Sequence, residues 1–270
     1  MESIRRAIER AKEPRSGNVP RRAFGLEQRN DEANAPRIAS GFHEVALDAA
    51  YLQSQRIIAH GVANPLSRPY DMLRTQVIQA MEEKGSKILA VTSPTAGCGK
   101  TVTAINLALS IARHPEKSVL LIDLDLRKPK MASYLGLGEG PGLLQVLDGS
   151  IQLHDAIVEA RVGNQRLLVL TTETTHGSSD IMASREIAGL FQDLRREFVG
   201  STVIIDLPPI LASDDVIAVL PQVDCALLVA AVGETKASDI EECAKHLRST
   251  DILRVVINKS LEASNNYYYY

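Results

Sequence analysis

Ser93-Pro94-Thr95-Ala96-Gly97-Cys98-Gly99-Lys100-Thr101 follows a short apolar run at 88–91 and opens a segment that reads as helix to about residue 113. A glycine-rich loop between strand and helix, closed by Lys-Thr, is the context in which backbone N–H groups turn inward around phosphate. Gly97 and Gly99 tolerate the φ angles such a turn needs and let the backbone approach closely. The helix N-terminus adds partial positive charge. Lys100 is placed to bridge the β- and γ-phosphates of a nucleotide, and the Thr101 hydroxyl to ligate Mg²⁺. Pro94 stands where the general pattern begins with glycine.

Outward from this loop the chain becomes regular. Apolar runs recur at 88–91, 119–122, 167–170, 203–205, 226–232 and 255–257, separated by helix-length segments. They are rich in Val, Ile and Leu without polar alternation, as strands buried on both faces are. The expected fold is α/β, a doubly wound and mostly parallel sheet with ligands at the carboxyl ends of its strands. Asp123 and Asp125 close one apolar run, in IDLDLRKP, and Asp206 closes another, in VIIDLPP. Residues two apart in a strand point to the same side. The three carboxylates are therefore expected at the nucleotide edge, around one Mg²⁺ and mostly through water.

Of 270 residues, 45% are hydrophobic and 23% charged, as in a soluble protein with one sizeable core. The net charge of -3 gives no reason to expect nucleic acid as a partner. Cys98, Cys225 and Cys243 are widely spaced and form no CxxC pair, and the six histidines are scattered, so neither a zinc site nor a disulfide framework is expected. The apolar stretches fall far short of the ~20 residues that cross a bilayer. The N-terminus lacks the apolar core of a secretory signal. These features point to a cytoplasmic protein whose membrane role, if it has one, comes through a partner. Residues 1–62 read as a short N-terminal helix at 2–12 followed by a flexible linker, 63–260 as the nucleotide-binding domain, and 261–270 as a tail. Residues 68–83 carry Leu73, Val77, Ile78 and Met81 at helical spacing. Four of the seven tyrosines are the last four residues, Tyr267, Tyr268, Tyr269 and Tyr270.

The loop, the two acidic motifs and this tail together resemble the bacterial tyrosine kinases of capsule and exopolysaccharide synthesis, in their form without a fused transmembrane part, over roughly 68–270. The resemblance implies a P-loop fold of the partitioning and division ATPase branch, and an ATP-dependent autokinase that phosphorylates its own tyrosine cluster. IDLDLRKP looks like the family's second acidic (Walker A′) motif, and the segment ending at Asp206 like its Walker B strand. By that match Lys100 and Asp123 are catalytic, Asp123 activating the tyrosine hydroxyl. Thr101, Asp125 and Asp206 hold Mg²⁺, and Gly97, Cys98, Gly99, Lys100, Thr101 and Val102 hold ATP. Asn258 resembles an adenine-contacting residue of the wider superfamily; a polar loop residue is the other reading. The resemblance further implies a homo-oligomer, an inner-membrane polysaccharide chain-length regulator as docking partner, and an opposing tyrosine phosphatase. Departures from the family pattern are Val102 in place of a hydroxyl, Cys98 in place of Glu, and an oligomerisation motif whose three places fall on Arg68, Asp71 and Arg74, of which only Arg74 matches. The rival to an autokinase is a nucleotide-switched adaptor with little kinase activity. A partitioning ATPase is disfavoured by Thr95, where that group carries a second lysine. The tail from Asn258 to Tyr267 spans at most ~30 Å, at ~3.3–3.6 Å per residue, which suits transfer between neighbouring subunits.

Overall fold

The computed structural model describes residues 41–61, 66–175 and 178–260. The expected helix at 2–12, the linker after it, and the tyrosine tail lie outside these residues. The described chain forms β1 (His43–Ala46), α1 (Ala49–Ser54), α2 (Arg68–Lys84), β2 (Ile88–Thr92), α3 (Lys100–Ala112), β3 (Ser118–Asp123), α4 (Met131–Leu135), α5 (Leu143–Leu147), α6 (Leu153–Ala156), β4 (Val158–Val162) and β5 (Gln165–Leu170). It continues through α7 (Ser178–Met182), α8 (Arg185–Glu197), β6 (Ser201–Asp206), α9 (Asp215–Val219), β7 (Cys225–Ala231), α10 (Ala237–His246) and β8 (Asp251–Asn258).

The strands make one eight-stranded sheet in the order β1-β4-β5-β3-β6-β2-β7-β8. All neighbours are parallel except β4 and β5, which form an antiparallel hairpin across Gly163 and Asn164. Every residue of β2, β3 and β7 is buried, as the unbroken apolar runs require when both faces are covered. Side chains alternate between two cores. Ile88, Ala90, Leu120 and Ile122 join Phe191 and Leu194 of α8 on one face. Leu89, Val91 and Leu121 join Ile105 and Leu109 of α3 on the other. This is the doubly wound α/β sheet expected from the sequence.

The six apolar runs correspond to β2, β3, β5, β6, β7 and β8, and the sheet contains two further strands. β1 is only four residues long with an exposed Glu44, and β4 carries Glu159 and Arg161. Charge therefore hides both from an apolar count. Their pairing is partly ionic: Glu159 takes Arg166 at 2.6 Å and Arg161 at 2.5 Å, and Arg161 also reaches Glu44 at 2.8 Å. Because β1 pairs with β4, the stretch from His43, read with the linker in sequence, is part of the sheet. α2 begins with Pro at its first turn and ends at Gly85 in the left-handed region. Its Val77, Ala80 and Met81 are buried beside α3.

Candidate active site

β2, β3 and β6 lie side by side in register, so their carboxyl ends form one edge. Asp123 is level with Asp206, and Asp206 with Val91. Beyond β2 the loop is fastened from one side before it reaches its glycines. The Thr92 hydroxyl donates to Pro208 O (2.7 Å), Ile210 N donates to Ser93 O (2.9 Å), and Leu211 N to Pro94 O (3.2 Å). Gly97 (φ 87°) and Gly99 (φ 88°) both sit in the left-handed region, which a side chain disfavours. Gly99 caps the N-terminus of α3, which puts Lys100 and Thr101 in the first turn.

Lys100 Nζ stands 2.9 Å from Asp125 Oδ2 and 3.2 Å from Asp206 Oδ2. The Thr101 hydroxyl donates to the same Asp206 oxygen at 2.5 Å. Burial alone would lower the Lys100 ammonium, but Asp206 and Asp125 outweigh it and hold the pKa above the usual lysine range. Burial pushes the Asp206 carboxyl up, with Lys100 and Thr101 acting against it.

Asp123 behaves differently. It is 1% exposed, and its oxygens accept from the backbone N–H groups of Asp125 (3.1 Å), Lys130 (3.2 Å) and Met131 (3.0 Å). Burial, with Asp206 adding to it, pushes its pKa up to about 7. The carboxylate that lines the cleft on this strand end is Asp125. Asp123 is drawn into the turn that follows β3. Among the described residues no group of three acidic, His or Cys side chains makes a metal cage. Asp125, Asp206 and Thr101 nevertheless fit magnesium, which keeps several waters and takes one or two carboxylates beside phosphates.

The cleft over the loop has a volume of about 410 Å³. Gly97, Gly99, Lys100, Thr101 and Val102 form its floor, and Arg127, Lys128 and Lys130 add positive charge to its rim. Val102, which stands where the family carries a hydroxyl, lines the cleft. The Cys98 side chain turns inward, 1% exposed, with Sγ 3.6 Å from the Thr95 hydroxyl and 3.5 Å from that of Thr235; only its backbone belongs to the loop. Asn258 meets the loop from the far side, donating through Nδ2 to Cys98 O at 2.9 Å.

Sequence reasoning missed the support of Arg127. Its guanidinium donates to Asp215 Oδ2 (2.9 Å) and Oδ1 (3.1 Å), and to the hydroxyls of Ser178 (3.1 Å) and Ser179 (3.0 Å). Burial works against the Asp215 charge, but Arg127 and the serines outweigh it and bring the pKa to about 2. The Asp214-Asp215 doublet at the start of α9 is the one sequence trace of this arrangement. Arg74, the match to the oligomerisation motif, and Arg113 both pair with Asp71, at 3.4 and 2.8 Å.

Residues 89–267 match the family model of the CobQ/CobB/MinD/ParA nucleotide binding domain. The tyrosine-protein kinase CpsD of Streptococcus pneumoniae serotype 4 is 33% identical over 185 residues, 67% of this chain and 79% of CpsD. EpsB of Ralstonia solanacearum, named a putative tyrosine-protein kinase, is 30% identical over 199 residues, which are 73% of this chain but only 26% of EpsB. The kinase domain of the Escherichia coli tyrosine kinase ETK superposes with a TM-score of 0.64 at 27% identity, covering 76% of this chain and 80% of that one. Matched in sequence from the β2 strand onward and in fold around the loop, this chain belongs to the bacterial tyrosine-protein kinase family, built on a CobQ/CobB/MinD/ParA nucleotide-binding domain.

Proposed function

We propose that the protein is an ATP-dependent tyrosine autokinase that modifies its own Tyr267–270 cluster, in trans between neighbouring copies. The observation that carries this reading is Lys100 in the first turn after the glycine loop, 2.9 Å from Asp125 and 3.2 Å from Asp206 at adjoining strand ends. Phosphoryl transfer asks a protein for alignment and for neutralised charge at the γ-phosphate, and little covalent help. The loop N–H groups and Lys100 bind and orient the triphosphate. Thr101, Asp125 and Asp206 would hold magnesium, which when bound shields the phosphate oxygens. The tyrosine oxygen bonds to the γ-phosphorus as the bond to the β,γ-bridging oxygen breaks, and ADP leaves.

A tyrosine hydroxyl has a pKa of ~10 and needs a proton acceptor. Asp123, the carboxylate pushed up to about 7, takes that role in this reading. Its hydrogen bonds to residues 125, 130 and 131 mean that the turn after β3 must shift to expose it. No described helix is long and apolar enough to cross a membrane. We place the protein at the inner membrane through a polysaccharide chain-length regulator, with a tyrosine phosphatase opposing it and polysaccharide synthesis or export as the regulated process.

Incubation with labelled ATP and magnesium, followed by peptide mapping, tests the proposal. Label is expected on Tyr267–270 and is expected to fall at least about a hundred-fold in Lys100→Met, which loses the charge facing the transferred group. Tight ATP binding with no label on the cluster would favour the nucleotide-switched adaptor instead.

A further inference from the structure

The ends of β7 and β8 hold the glycine loop from the side opposite β6. Asn258, the last residue of β8, donates to Cys98 O and accepts from Lys259 N, each at 2.9 Å. It lies so close to the loop that a Cβ on Gly99 would stand 2.3 Å from its amide nitrogen. Lys259 follows in the left-handed region (φ 59°), unusual for a lysine, and its ammonium pairs with Glu234 at 2.6 Å. Glu234 belongs to the turn after β7. Its other carboxylate oxygen would be 3.7 Å from a Cβ on Gly97. In the same turn Thr235 contacts Cys98 Sγ at 3.5 Å and accepts from Ala231 N at 2.9 Å. Two strand ends thus contact Cys98 and leave no room for a side chain at Gly99, and a carboxylate stands beside a loop whose task is to receive anionic phosphate.

We propose that Asn258, Glu234 and Lys259 form a clasp that positions the phosphate loop, with Lys259 cancelling a Glu234 charge that would otherwise repel the nucleotide. They are positioning residues: they act on the loop backbone and its local field. The unusual Lys259 backbone conformation is what brings its ammonium back over Glu234. The clasp deepens the nucleotide-binding reading above and rests on it.

The test is the affinity of the full chain for a fluorescent ATP analogue with magnesium, across a double-mutant cycle. Lys259→Met is expected to weaken binding about three- to ten-fold, the effect of one uncompensated and partly solvated charge near the site. The loss should shrink as salt is raised. Glu234→Gln alone should leave affinity equal or slightly better, and Glu234→Gln with Lys259→Met should restore it. Asn258→Leu, which removes the donor to the Cys98 carbonyl without adding charge, should weaken binding without a change in salt dependence. A double variant as weak as Lys259→Met, or a Lys259→Met that binds like the wild type, would overturn the clasp while the nucleotide site stands. A wild-type chain that binds no nucleotide would overturn both.

Discussion

Asp215 shows how one residue braces the site from outside. Fully buried itself, it holds the Arg127 guanidinium that rims the cleft. Its carboxyl is depressed from 3.8 to about 2, so the fold favours the charged form. The stabilisation is therefore complete above 3.8 and is lost as pH falls toward 2. Asp215→Asn should cost about 1–3 kcal/mol at neutral pH, the range for hydrogen bonds to a charged group. Urea unfolding of both proteins should show that gap narrowing through the acid range, and a constant gap would contradict the assignment. Nothing in the sequence spacing links Asp215 to Arg127, 88 positions earlier; the two meet only because α9 follows the strand end next to β3. Lys100, Thr101, Asp125 and Asp206 were legible because each sits at a strand or helix end whose chemistry is local. Asp123 is set apart from the other carboxylates for a physical reason. Alternation puts it beside Asp125, but the strand stops at Asp123 and the chain turns, handing its oxygens to the backbone of the turn.

At the scale of elements, the cores depend on polar contacts that periodicity does not reveal. Asn106 lies in the middle of α3, wholly buried. Its Oδ1 accepts from Ile58 N (2.8 Å) and Ala59 N (3.0 Å), and its Nδ2 donates to Arg56 O (3.0 Å) and Val102 O (2.9 Å). It ties the segment after α1 to the helix that carries Lys100. Asn106→Leu should cost about 1–3 kcal/mol, because the buried Ala59 N–H and the half-buried Ile58 N–H lose their acceptor, and amide exchange at 58 and 59 should accelerate. Residues 43–61 were hard to read in sequence because their anchors are this asparagine, the pairing with β4 and four scattered core residues, Leu47, Leu52, Ile57 and Ala59. Gly142 is a second hidden constraint: a Cβ there would meet Thr171 O at 2.8 Å, where Leu143 N already donates to the same oxygen. Gly142→Ala should lower stability by about 1–3 kcal/mol through overpacking against backbone, read as a fall in the thermal midpoint. Buried parallel strands, by contrast, announce themselves: all six apolar runs became strands, but the run at 255–257, expected to be buried on both faces, lies in the edge strand β8 with Val255 and Ile257 exposed.

At the scale of the whole molecule, the parallel strands deliver both the loop and the exit of β8 to one edge, so the chain leaves its last strand beside the ATP site. If transfer runs between copies, a Lys100→Met chain with an intact tail should be labelled when mixed with an active chain whose four terminal tyrosines are Phe; an unlabelled inactive chain would rule out transfer in trans. Each phosphotyrosine adds about -1.5 to -2 charge, so light scattering should report a smaller assembly after full modification, and an unchanged mass would refute this. The far side of β8 carries another consequence. It ends the sheet, with Val255 and Ile257 44% and 59% exposed. An outer strand whose exposed end, 255–257, is greasy and uncharged invites nonspecific stacking of warm or concentrated samples. Val255→Lys should therefore delay turbidity on heating while leaving the melting point where it was, which makes the rim of this sheet the place to engineer a better-behaved sample.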